Sequence, residues 1–263
     1  MKKNVFHRFL IAAAMTAFCC LNAFAGVPQV QVKLVLVSVS GDEIVLAPGE
    51  SSPTNLNAPL HAEFISELVV DDGKEYKMFP QWTVKRTYTN GTTTETVDYL
   101  KRQESMTEYD FTDYGQFQVN FAWSYREKDA VETIPGEYVD SITFSIDNSE
   151  ITLFNAFSPN GDGINDVYKI YTRSIVSLKI AIFNRWGQTI KTISGKMEDI
   201  LQSVNSEPDN NGGFFLEIWD GRYNGDVVND GVYFINVQAV GAGGKSYEKR
   251  ADINVLKGLG VGD

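Results

Sequence analysis

The stretch NAFSPNGDGINDVY, residues 155–168, decides how this chain is read. It crowds three asparagines and two aspartates around Pro159, Gly161 and Gly163, between apolar runs at residues 151–154 and 167–171. Asn and Asp side chains fold back onto their own backbone, and glycine supplies positive φ without steric cost. Such a run makes a tight polar turn, and neither a helix nor a strand passes through it. The chain on each side reads as a β-domain.

Towards the N-terminus, residues 30–39 (VQVKLVLVSV) suit a strand buried on both faces near the middle of a sheet. Further strand signals fall at residues 43–47, 60–68, 81–88, 93–100, 107–111, 116–124 and 140–146. Residues 51–59 carry two prolines and two asparagines and read as a loop, while Asp72-Gly73, Asn90-Gly91 and Tyr114-Gly115 mark turns. Phe117, Val119, Phe121 and Trp123 alternate onto one face, and Trp82, Val84 and Arg86 offer the partner row. Short strands with frequent turns over this length predict a β-sandwich.

Towards the C-terminus, Leu178, Ile180 and Ile182 share a strand face, followed by FNRWGQ at residues 183–188 and a strand at 189–193. Residues 196–217 break the pattern and read as an insertion holding a short helix (KMEDILQSV) and a loop. WDGRYNG at residues 219–225 returns the chain, DGVYF at 230–234 opens another strand, and residues 246–255 form the last. Asn-Gly and Asp-Gly punctuation between alternating runs again predicts an antiparallel sandwich.

Two resemblances follow from these residues. EYDF at 108–111 with YGQFQV at 114–119 resembles the closing strands of PKD and related immunoglobulin-like domains. The ordered set SPNGDGIND, IFNRWGQ, WDGRYNG and DGVYF closely resembles the gliding-motility-associated C-terminal domain, the type B sorting module of exported Bacteroidetes proteins. The resemblance covers about residues 155–256. It implies recognition by the type IX secretion machinery and delivery to the cell surface or medium, or a periplasmic location where that machinery is absent. The matching positions are Ser158, Pro159, Asn160, Gly161, Asp162, Gly163, Asn165 and Asp166 in the first motif. They continue with Asn184, Arg185, Trp186 and Gly187, then Trp219, Asp220 and Gly221, then Asp230, Gly231 and Tyr233. The 196–217 segment and the tail at 258–263 depart from the family pattern.

The N-terminus carries a different signal. Lys2, Lys3 and Arg8 precede an apolar core at residues 9–21, and Ala23-Phe24-Ala25 places small residues where a signal peptidase cuts, after Ala25. Phe18 before Cys19, and Cys19 before Cys20, fit no lipid-attachment pattern, so the mature chain contains no cysteine and no disulfide. Losing three bases changes the formal charge from −11 to −14, which repels nucleic acid and anionic lipid.

Chemistry is sparse. Asn160, Asp162, Asn165 and Asp166 gather oxygens as a calcium loop does, with Asp162, Asn165 and Asp166 the candidate ligands. Calcium takes six to eight oxygens, and Ser158 and Lys169 stand where an EF-hand needs acids. Two readings are open: a bound cation, or side chains that cap their own turns, with no cofactor. Trp82, Trp123, Trp186 and Trp219 read as packing residues in preference to sugar platforms. His61 is the one histidine after the leader and has no triad spacing around it.

The expectation is an exported, non-enzymatic, all-β protein of two consecutive antiparallel immunoglobulin-like sandwiches. They span residues 27–148 and 149–257, after a signal peptide at 1–25. Its partners are the secretion machinery or cell-surface components, with no nucleic acid and no transmembrane segment in the mature chain. The alternative is an adhesin-like module whose first sandwich binds a glycan or protein. An exposed aromatic row or a concave loop cluster would favour it, and burial of Trp82 and Trp123 would count against it.

Overall fold

The computed structural model describes residues 27–90, 92–102, 107–209 and 212–257. The expected leader with its cleavage at Ala25, and the tail at 258–263, lie outside the described residues.

The first half contributes β1 (Gln29–Val37), β2 (Glu43–Leu46), β3 (Leu60–Val69), β4 (Tyr76–Asn90), β5 (Thr93–Arg102), β6 (Glu108–Phe111), β7 (Gly115–Glu127), β8 (Ile134–Pro135) and β9 (Ile142–Ile146). One sheet has the order β2-β1-β3-β6 and the other β5-β4-β7-β8, with β9 also on β7. The alternating run on β7 meets its partner row in register: Trp82 faces Phe121, Val84 faces Val119 and Arg86 faces Phe117. Aromatic contacts close the sandwich between sheets, with Phe64 and Trp82 ring centroids 5.2 Å apart and Phe111 and Phe117 4.9 Å apart. Edge-to-face geometry at these separations adds to the burial energy.

The fourth strand begins earlier than the sequence suggests, at Tyr76, and runs through Pro80. The register explains how the proline is tolerated. β5 pairs with β4 only from Trp82 onward, so around Pro80 the strand has β7 as its single neighbour. Proline is accommodated on such an edge because no second ladder needs its missing N–H.

The second half contributes β10 (Glu150–Leu153), β11 (Ala156–Phe157), β12 (Tyr168–Arg173), β13 (Ile175–Phe183), β14 (Thr189–Lys196), α1 (Met197–Ser203), β15 (Ser206–Pro208), β16 (Phe214–Trp219), β17 (Arg222–Tyr223), β18 (Asp226–Val227), β19 (Gly231–Gly241) and β20 (Ser246–Val255). Its sheets run β10-β12-β16-β15 and β11-β20-β19-β13-β14, with β17-β18 as a separate hairpin. Pairing is antiparallel except β11 on β20, where Ala156 and Phe157 add in parallel beside Asn254 and Val255. Ile170, Leu216, Ile180, Ile182, Val237, Ile253 and Val255 are fully buried between the sheets.

The segment read as an insertion ends sooner than expected. Phe214–Trp219 is a core strand between β12 and β15, and Leu216 is completely buried. The preceding Asn-Gly-Gly sequence hides the start of that strand from any period count. The short helix does form over Met197–Ser203, buries Met197 and Ile200 one turn apart, and has Glu198 and Asp199 at its positive N-terminal end.

The halves meet through Ser149, Ser174 and the β19–β20 turn. Ser174 is 3% exposed; its Oγ accepts from the Ala58 amide (3.3 Å) and donates to Asn57 Oδ1 (3.2 Å). Asn57 Nδ2 donates to the Gly212 carbonyl, and the Gly243 amide donates to the Thr112 carbonyl at 2.7 Å. All these contacts sit at one end of the second sandwich. β12 finishes there and β13 starts there.

Candidate functional site

The strands that leave the junction end at the far end of the second sandwich, and all four sequence motifs lie there. Residues 158–166 precede β12, 184–188 join β13 to β14, 219–230 follow β16, and 231–233 open β19. Positions up to 75 residues apart are therefore gathered into one loop cluster, because antiparallel strands bring alternate connections to the same end.

The first loop is held by its own side chains. Asp166 accepts the Gly161 amide on Oδ1 (2.7 Å) and the Gly163 amide on Oδ2 (2.8 Å). Asn160 Oδ1 accepts the Asp162 amide at 3.0 Å, and Asp162 Oδ1 accepts the Ile164 amide at 2.7 Å. Asn165 adopts φ 56°, a conformation asparagine tolerates better than most residues. The two amides donated to Asp166 hold its carboxyl below the usual carboxylate range. Ser158 closes the loop, its amide donating to the Asn165 carbonyl at 2.8 Å. Both Asp166 oxygens and Oδ1 of Asn160 and of Asp162, among the oxygens considered as calcium ligands, are thus engaged with backbone N–H groups. Among the described residues no three acidic, histidine or cysteine side chains group closely enough to hold a metal ion.

The second motif is a turn built on one side chain. Asn184 Oδ1 accepts the amides of Trp186 and Gln188, both at 3.0 Å, and Asn184 Nδ2 donates to Gln188 Oε1 at 2.9 Å. This fixes the tip, and Trp186 at that tip is 80% exposed. The Arg185 guanidinium lies over the indole, 5.3 Å from the ring centroid. The reading of Trp186 as a packing residue is therefore corrected. A five-residue connection between paired strands puts its middle residue at the apex, where no core is within reach. Gln188 Nε2 donates to the Tyr223 hydroxyl (3.0 Å) and ties this turn to the third motif.

Trp219 behaves as expected and is 2% exposed. Its indole N–H donates to the Arg222 carbonyl at 2.9 Å, and its ring packs between Phe157 (5.3 Å) and Tyr233 (5.1 Å). Asp220 Oδ1 accepts the Arg222 amide at 3.1 Å. Gly221 abuts the first motif: a Cβ there would stand 2.7 Å from Pro159 Cγ. Gly231 abuts the second, where a Cβ would stand 3.0 Å from Arg185 Nη2. Asp230 Oδ1 accepts the Lys257 amide at 3.1 Å, which pins the chain leaving β20. Burial raises the Tyr233 hydroxyl pKa while Arg185 opposes the shift.

Sequence reading singled out the motif residues but missed Ile164 and Leu256, which are 67% and 55% exposed at this same end. Apolar residues beside glycine or at a strand terminus were the available signal. Elsewhere, Trp82 and Trp123 are 1% and 7% exposed, so neither belongs to an open aromatic row. His61 Nδ1 lies 2.6 Å from Asp110 Oδ1 across the β3–β6 pair, a surface contact far from the loop cluster. No helix among the described residues is long and apolar enough to cross a membrane.

Residues 151–253 match the family model of the CHU_C type IX secretion signal domain, as the ordered motifs lead one to expect. The chain is similar to a solved tetra-tandem repeat from the extending region of a large adhesion protein. They are 11% identical, with 89% of this chain and 68% of that one covered, at a TM-score of 0.28. It is also similar to the fibronectin(III)-like modules of Clostridium thermocellum CbhA, at 12% identity, 78% and 91% coverage, and a TM-score of 0.19. The all-β sandwich architecture follows from the strand order of the two halves. No curated protein matches the chain.

Proposed function

We propose that this is an exported, non-enzymatic protein of the cell surface or medium, whose second sandwich is its secretion address. The residues recognised in transit are those at the loop end farthest from the first sandwich. Residues 149–257 form the sorting unit and 27–148 the cargo, a division supported by two clusters of buried residues that follow it except at Ala242, which packs with the first. The observation that carries the reading is Trp186. A tryptophan held 80% exposed by a turn that Asn184 organises has no role in its own core. Exposed, preorganised aromatics beside an arginine are the residue types that dominate protein–protein binding energy.

The test is Trp186→Ala in the full chain, expressed in a bacterium that has type IX secretion. The readouts are cell fractionation and protease accessibility on intact cells. The wild-type chain is expected at the surface or in the medium, and the variant in the periplasm with an unchanged melting temperature. Surface delivery of the variant at wild-type level overturns the assignment to this end. Surface delivery after deletion of residues 155–263 overturns the sorting role itself.

The loop at 158–166 is proposed to fold without a cation, on the strength of the four backbone amides its side-chain oxygens accept. Calcium at millimolar concentration is expected to leave the melting temperature unchanged, and a rise would reinstate Asp162, Asn165 and Asp166 as ligands. The aromatic row that a binding role for the first sandwich would use is not supported, given the burial of Trp82 and Trp123.

A further inference from the structure

We propose that the delivered protein keeps its address, because the junction between the two sandwiches is closed to proteolysis. The delivery step rests on the secretion reading above, and the closure rests on the junction alone. The covalent link is short. β9 ends at Ile146 and β10 begins at Glu150, so Asp147, Asn148 and Ser149 are all that joins the halves.

Two of these three residues are fastened. The Asp147 amide donates to the Leu56 carbonyl at 2.9 Å. Its Oδ1 accepts Asn55 Nδ2 at 2.8 Å, and its Oδ2 lies 3.5 Å from Arg173 Nη1 in the second sandwich. Ser149 Oγ donates to the Ser174 carbonyl at 2.8 Å and accepts the Ala242 amide at 2.7 Å. Just outside the link, Ile146 is buried in the first core and Ile151 in the second. A protease binds its substrate as an extended segment lifted off the fold, so nicking follows the burial and hydrogen bonding of the backbone. Freeing enough chain here pulls Ile146 out of one core and Ile151 out of the other.

The halves also grip each other beside the link. Ser174 has φ of 49°, in the left-handed region that serine rarely occupies. Such a conformation persists where the surroundings over-determine it. Here the Ser174 carbonyl accepts both Ser149 Oγ and the Ala242 amide, the latter at 3.0 Å, while its Oγ bonds to Asn57 and Ala58 of the first sandwich. Apolar groups cross in both directions. Ala242, in the β19–β20 turn, packs in the first core, and Val39, between β1 and β2, packs against the second. Swinging the sandwiches apart to expose the link breaks these contacts, which places its opening near the costly end of local unfolding. More open connections lie elsewhere, as around Val131, which is 93% exposed between β7 and β8.

The experiment has two arms. In the first, the purified mature chain is digested with limiting proteinase K and the fragments are assigned by mass. No early fragment is expected to end within residues 146–151. A Gly-Gly-Ser-Gly-Gly insertion between Asn148 and Ser149 should speed cutting at that boundary about tenfold, because cleavage follows the population of the open form. In the second arm, protein is recovered from the surface and medium of a bacterium with type IX secretion, and peptides from residues 27–148 and 149–257 are quantified. Equal amounts are expected. The proposal is overturned by an early cut at 146–151 in the wild type, by an insertion that leaves the rate unchanged, or by delivered material depleted in peptides from 149–257. A chain that never leaves the periplasm sinks the secretion reading instead, and the digestion then decides the closure of the junction by itself.

Discussion

Gly221 and Pro159 are in contact across 62 residues of sequence, so close that a Cβ on the glycine would lie 2.7 Å from the proline Cγ and 2.8 Å from its Cβ. The contact joins the first and third motifs of the loop cluster. It also explains why glycine stands at 221: φ is +74° and the space is filled by a rigid ring.

Gly221→Ala is therefore expected to destabilise the chain by about 2–4 kcal/mol, combining left-handed strain with overpacking. Gly187 has a similar φ of +80° but nothing within 4 Å of the added methyl, so Gly187→Ala should cost only about 1–2 kcal/mol. Urea denaturation of both variants checks the difference. Equal losses would show that Pro159 yields freely.

The two motif tryptophans should separate cleanly. Trp219→Ala removes a buried ring and is expected to cost about 3–5 kcal/mol. Trp186→Ala removes an exposed one and should stay within about 0.5 kcal/mol of wild type. Thermal unfolding of each variant reads this directly, and a large loss at Trp186 would mean that its stacking on Arg185 is structural.

Acid should loosen the first loop through Asp166. Its folded pKa lies below the ordinary 3.8, so its contribution is complete above that value and is lost as pH falls through the lower folded value. The Gly161 and Gly163 amide proton resonances should titrate together below pH 3.8, and Asp166→Asn should remove that titration. Independent titration of the two amides would contradict a shared carboxylate.

Alkali should act through Tyr168. Burial raises its hydroxyl from 10.0 to about 12, and the hydroxyl donates to the Phe154 carbonyl at 2.7 Å. A pKa raised in the folded state gives stability that is complete below pH 10 and falls as pH rises towards 12. Tyr168→Phe should lower stability by about 1 kcal/mol at pH 7 and flatten this alkaline decline. An unchanged slope between pH 10 and 12, measured by denaturant unfolding, would place the decline elsewhere.

Much of the fold was legible because it rests on local pattern. The β7 row from Phe117 to Trp123 and the β20 row ending at Ile253 and Val255 alternate with period two, and a sheet with one buried face requires that period. The turns were legible from Asn, Asp and Gly chemistry, and the four motifs from their order. The β16 strand was obscured because a short buried strand beside Asn-Gly-Gly has too few residues to declare a period. Pro80 inside β4 was obscured because its tolerance depends on where β5 stops pairing.

By itself, then, the sequence determined the all-β class, the turn positions and the match of residues 151–253 to the model of a secretion signal domain. Only the tertiary structure decided that NAFSPNGDGINDVY, the NRWGQ turn and the WDG return share one end of a sandwich. It alone showed that Trp219 is core while Trp186 faces solvent, and that the two halves enclose a cleft. The physical reason is one of range. Backbone propensity and alternation act over a few residues, whereas exposure and proximity depend on which strands pair and where each ends.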